Sequence, residues 1–150
     1  MPEARARVVI AFDFGLRRIG IACGNTLSEQ AAPHSAILVG SQGIDWSTID
    51  RLFHQYQPHV LVVGRPCNAD GTPGRLSDAA DQFAKQLAAR AGHAVQRTDE
   101  FASSIEASER LRAQRRSGQR PRRVQRADID SAAAAIILER WFAGEGRADD

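Results

Sequence analysis

Residues 7–24 read RVVIAFDFGLRRIGIACG. Arg7 to Phe14 is a β-branched and apolar run interrupted by one acid, Asp13. Gly15 to Arg18 is a turn, and Ile19 to Gly24, where Ile and Ala alternate with Gly and Cys, is a second strand. A third short apolar run spans Ala36 to Val39. Three strands with short connections predict an antiparallel meander.

Downstream the period changes. Asp45 is a candidate N-cap for a helix to about Gln55, with Trp46, Ile49, Leu52, Phe53 and Tyr56 on one stripe and Pro58 as its stop. His59 to Gly64 is a continuous apolar run of the fully buried type. Residues 65–74 are dense in turn formers. A second helix is expected from Leu76 to Ala91, with Leu76, Ala80, Phe83 and Leu87 on its apolar face and Gly92 as its stop. Ala94 to Thr98 reads as a last strand. Ser103 and Glu106 have capping-box spacing for a third helix, broken by Ser117 to Pro121. A final helix spans Asp128 to Phe142, where Ala132 to Ala135 permit close packing on a sheet. Strands and then βα units predict an α/β fold, a mixed five-stranded sheet with helices on both faces.

The chain has 150 residues, 43% apolar and 25% charged. This fits one soluble domain that buries roughly 70% of its unfolded surface. We expect a single domain over 1–150, with a polar tail over 143–150. No apolar run approaches the ~20 residues of a membrane span, and residues 1–5 lack a signal-peptide core, so the expected compartment is the cytoplasm, with no membrane partner. Cys23 and Cys67 are too few for a zinc site and read as free thiols. His34, His54, His59 and His93 show no metal-ligand spacing.

The net charge of +2 hides an asymmetry. Eight arginines and no acid lie between Arg110 and Arg126, and setting them aside leaves 12 basic against 18 acidic residues. So one-sided a run points to a polyanion rather than to a salt-bridged surface. Arg17 and Arg18 read equally as phosphate contacts or as a hairpin charge pair.

Three acidic positions stand out. Asp13 ends a strand that should be central, although a turn-initiating Asp before Gly15 explains it as well. Asp99 and Glu100 follow the last strand, where an exposed loop is the plainer reading. Asp128 and Asp130 open the last helix, where acids are favoured by capping and by the helix dipole. If the last strand is parallel to the first, all three places meet at one sheet edge, where α/β folds put ligands. Converging carboxylates need cations to stay ionised, and hard Mg²⁺ or Mn²⁺ suits oxygen donors. Two such ions promote phosphodiester hydrolysis.

Four segments in order resemble the YqgF/RuvX family over nearly the whole chain. They are Asp13 to Ala22 (DFGLRRIGIA), Gly64 to Thr72 (GRPCNADGT), Asp99 to Ala107 with its serines and Glu106, and Ile129 to Leu138. The resemblance implies a ribonuclease H-like fold. It implies Asp13, Glu100 and Asp130 as catalytic and metal-binding acids, and prefers Asp130 to Asp128. It implies a nuclease that matures the 5′ end of precursor 16S ribosomal RNA, docking on structured RNA or on ribosomal precursor particles. Two alternatives stay open: a Holliday junction resolvase acting on branched DNA, and a non-catalytic nucleic-acid-binding protein. Resolvases of this architecture also make a homodimer an expectation. The family has Arg where Phe101 stands and often Asp where Asn25 stands. Arg17, Arg18, Arg115, Arg116, Arg122 and Arg123 are the candidate nucleic-acid contacts.

Overall fold

The computed structural model describes residues 6–66, 74, 76–99, 102–118 and 123–145. β1 (Val8–Phe14) pairs antiparallel with β2 (Arg18–Asn25), and β2 with β3 (Ala31–Gly40). On the other side of β1, β5 (Val60–Arg65) and then β6 (Val95–Asp99) add in parallel. The sheet order is β4-β3-β2-β1-β5-β6. The mixed sheet is as expected, but it has six strands rather than five. The extra strand, β4 (Gly43–Ile44), is two residues long and pairs with the end of β3. Two residues carry no period to read; the left-handed backbone of Gly43 (φ 94°) turns the chain back.

Alternation along β1 assigns its two faces. Ile10, Phe12 and Phe14 point into a core with α1 (Trp46–Tyr56) and α2 (Ser77–Ala91). Val9 and Ala11 point into a second core under α4 (Arg126–Arg140). Covered on both faces, β1 as far as Phe12 and β5 as far as Gly64 are apolar, without the polar alternation of a surface strand.

The helices obey local chemistry with informative exceptions. The Asp45 carboxylate accepts the Thr48 N–H at 3.2 Å and caps α1, and the five stripe residues all join the first core. Gly92 ends α2 in the left-handed region, while Leu76 is its N-cap residue and not part of its face. The capping box expected at Ser103 and Glu106 does not form. Ala102 takes the left-handed N-cap position of α3 (Ser103–Arg116), Ser103 is buried inside the helix, and Glu106 turns to Arg110 at 3.1 Å. A capping box does form at α4, between Gln125 and Asp128, so that helix begins two residues earlier than expected. It continues into a π-type turn, Trp141–Glu145.

The segment Ser131 to Leu138 is buried without a break. Such a helix needs partners on opposite sides. Ala134, Ala135, Ile137 and Leu138 face the sheet, and Ala132, Ala133 and Ile136 face α3. Among the described residues no helix is long and apolar enough to cross a membrane.

The tightest approach is at Gly20 on β2. A Cβ there would lie 1.9 Å from the carbonyl oxygen of Asp130 and 3.1 Å from the Ser131 nitrogen. Helix backbone therefore rests directly on strand backbone. Gly20→Ala must push α4 off the sheet and should cost about 3 kcal/mol or more in urea denaturation. Gly40→Ala, where a Cβ meets nothing within 4 Å, should stay within about 0.5 kcal/mol.

Candidate functional site

Asp13 is directly opposite Gly20 in the antiparallel register. Residues so paired present side chains on the same face. Gly20 faces α4, and alternation from Val9 and Ala11 agrees, so the Asp13 side chain lies on the α4 face beside the first turns of that helix. Asp130 is on those turns, with its backbone on Gly20. Asp13 and the backbone of Asp130, more than a hundred positions apart, thus both adjoin Gly20.

The third sheet position follows from the parallel strands. Phe12 pairs with Val63 and Gly64 pairs with Thr98, so the level of Asp13 continues through Gly64 to Thr98. β1 and β6 are two strand spacings apart, about 10 Å. The Trp141 indole donates to Gln96 Oε1 at 3.0 Å, which fixes the even positions of β6, and so Thr98, on the α4 face. Thr98 is fully buried. Gly64 between them presents no side chain. β6 ends at Asp99 on the same sheet edge as Asp13, as a parallel arrangement requires. Glu100 and Phe101 lie outside the described residues, as do Cys67 and Arg122.

Asp130 and Asp128 have different settings. The Asp128 carboxylate accepts the Gln125 N–H at 2.9 Å and completes the cap of α4. The Asp130 carboxylate accepts the Nε–H of Arg18 at 2.6 Å, the two side chains being 23% and 25% exposed. Arg18 is therefore engaged by the acid. Arg17 in the β1–β2 turn is exposed, and its carbonyl accepts the Val39 N–H at 2.8 Å. Among the described residues no three His, Cys, Asp or Glu side chains gather as a metal-binding group.

The arginine run divides. Arg110 is structural: it forks onto Glu139 with bonds of 3.0 and 3.1 Å, tying α3 to α4, and those hydrogen bonds push its pKa further up. Arg115 and Arg116 in the last turn of α3, and Arg123 just ahead of α4, line one pocket. Arg112 and Arg126 line it too. They went unassigned in the sequence because nothing in a linear run marks which side chains turn the same way.

Of the histidines, His54 is exposed and His93 half-buried. His34 packs edge-on against Tyr56, and His59 Nδ1 accepts the Val8 N–H at 3.1 Å. Burial pushes the Cys23 thiol up to about 11.

A family model described as "RuvX: Holliday junction resolvase" matches residues 7–144. The chain belongs to the RuvX family. It is 40% identical over 152 residues to a protein of Xanthomonas axonopodis pv. citri named "Putative pre-16S rRNA nuclease", covering 99% of this chain and 97% of that one. A protein of the same name from Azotobacter vinelandii is 38% identical over 139 residues, covering 91% and 94%. Among solved structures, Thermus thermophilus RuvC in complex with Holliday junction substrate superposes with a TM-score of 0.53 at 17% identity, covering 95% and 96%. The yeast mitochondrial Holliday junction resolvase Ydc2 gives 0.55 at 12% identity, covering 99% and 82%. The fold of this RuvX-family chain is therefore ribonuclease H-like, as the four sequence segments implied.

Two measurements check the site's local chemistry. Arg18→Gln should lower stability by less than about 1 kcal/mol, because the pair is partly solvated. In a Cys67→Ser background, Cys23 should react with a disulfide reagent only slowly at pH 8, since a thiol titrating near 11 is almost wholly protonated there. Denaturant should restore ordinary reactivity.

Proposed function

We propose that this chain is a nuclease that hydrolyses phosphodiester bonds in precursor 16S ribosomal RNA, with Asp13, Glu100 and Asp130 as its acids. What supports the reading is the seating of the Asp130 backbone on Gly20, the residue paired with Asp13 at the carboxyl edge of the parallel strands. The names of the full-length relatives supply the substrate.

The donors fit a hard divalent cation. Carboxylate oxygens are the ligands that Mg²⁺ and Mn²⁺ prefer, and the Arg18 guanidinium already sets positive charge against Asp130. Asp13, Asp130 and Glu100 would hold such ions, two by this reading. When bound, they supply activation of water and neutralisation of charge on the reacting phosphate.

The remaining work falls to the chain. Asp13 orients the attacking water from the end of β1. Arg18 holds the Asp130 carboxylate in a fixed direction, which removes an entropic cost from each encounter with substrate. Arg17, exposed at the same end of β1, meets a phosphate oxygen of the strand.

Asp13→Asn keeps size and shape while removing the charge. It should lower cleavage of a precursor 16S fragment in Mn²⁺ at least a hundredfold with the thermal midpoint unchanged. Undiminished cleavage would reject the acid assignment. The family description favours one further substrate, so a four-way DNA junction belongs in the same assay. Preferential cutting of the junction would move the reading to branched DNA.

A further inference from the structure

Away from the acidic edge, a pocket of about 920 Å³ lies between the C-terminal end of α3 and the start of α4. Arg112, Arg115, Arg116, Arg123 and Arg126 line it, and Val124 and Ile129 contribute an apolar floor. No carboxylate among the described residues pairs with any of the five. Several arginines elsewhere are paired: Arg18 has Asp130, Arg90 has Asp50, Arg97 has Asp81, and Arg110 has Glu106 and Glu139.

Helix chemistry explains only part of this. Arg115 and Arg116 complement the negative end of the α3 dipole. Arg126 is in the first turn of α4, where a cation is disfavoured. Holding five like charges around one concavity is costly until an anion enters.

The occupant must match three features. It carries more than one negative charge, to answer convergent guanidinium groups. It has a flat apolar part, because Val124 and Ile129 are only partly buried by the core they join. It fits a volume at the upper end of those that enclose drug-sized molecules, which admits a nucleotide or two and excludes a duplex. Guanidinium planes also stack on bases.

We propose that this pocket binds an unpaired nucleotide segment of the nucleic-acid substrate, with phosphates on the arginines and a base over Val124 and Ile129. The inference rests on the nuclease reading for its choice of ligand. The first turns of α4 then serve both sites, since Ile129 lines the pocket and the next residue, Asp130, faces the sheet. A strand anchored in the pocket is led toward the acids.

The test is equilibrium binding of a fluorescein-labelled 12-nucleotide single-stranded RNA to the full chain in EDTA, where cleavage is not needed. Arg115→Gln, Arg116→Gln and Arg123→Gln together should weaken binding at least tenfold. The salt dependence should flatten by about 2 in its log–log slope, at ~0.7 for each phosphate released. Removing three charges from α1 and α2, by Arg51→Gln, Lys85→Gln and Arg90→Gln, should change affinity less than twofold. AMP should displace the RNA at a concentration at least tenfold below inorganic phosphate. Equal losses in the two triple variants would mean that net charge alone binds, and would overturn the proposal. So would equal potency of AMP and phosphate, or a duplex of the same sequence binding as tightly as the single strand. These results are independent of cleavage by Asp13→Asn, so either reading can fail alone.

Discussion

Everything distinctive in this molecule depends on helix backbone lying against strand backbone at Gly20. Side chains normally hold a helix well above a sheet, at about 10 Å. Here the strand offers none at the contact, and the Asp130 carbonyl occupies the space a Cβ would fill. The alanines of α4 continue that close approach on both of its faces. The consequence is electrostatic as much as steric. A carboxylate near the start of a helix is set beside a carboxylate near the end of a central strand, and Arg18 compensates one of them from the neighbouring strand.

The second consequence concerns how charge is divided over the molecule. Along the chain, the basic run and the acids look like separate regions. In space they share the first turns of α4. Positions a hundred degrees apart on a helix point in different directions, so Ile129 and Asp130 serve a basic pocket and an acidic edge although they are adjacent. A polyanion is attracted by the first and repelled by the second unless cations intervene.

Much of the scaffold was legible because it depends on neighbours in sequence. The Asp45 cap, the stripe from Trp46 to Tyr56 and the stop at Gly92 need only local chemistry. Where a cap depends on the path of the incoming chain, local reading failed. Ser103 and Glu106 have the right spacing, but Ala102 takes the left-handed position and the serine is drawn into the helix. Gln125, a weaker capping residue by propensity, caps α4 because Asp128 answers it. β4 was invisible because two residues cannot show a period.

For this protein the sequence alone determined most of the strands and helices, that an acid ends β1, and that the arginines are massed without counter-charges. These follow from intrinsic preference and composition. Tertiary structure decided which acid of the pair at α4 faces the sheet, that Arg18 is bound to it, and which arginines surround a common space while Arg110 becomes a clamp between helices. Those outcomes depend on rotation about the helix axis and on strand register. Both are fixed by packing between segments far apart in the chain, which no local pattern encodes.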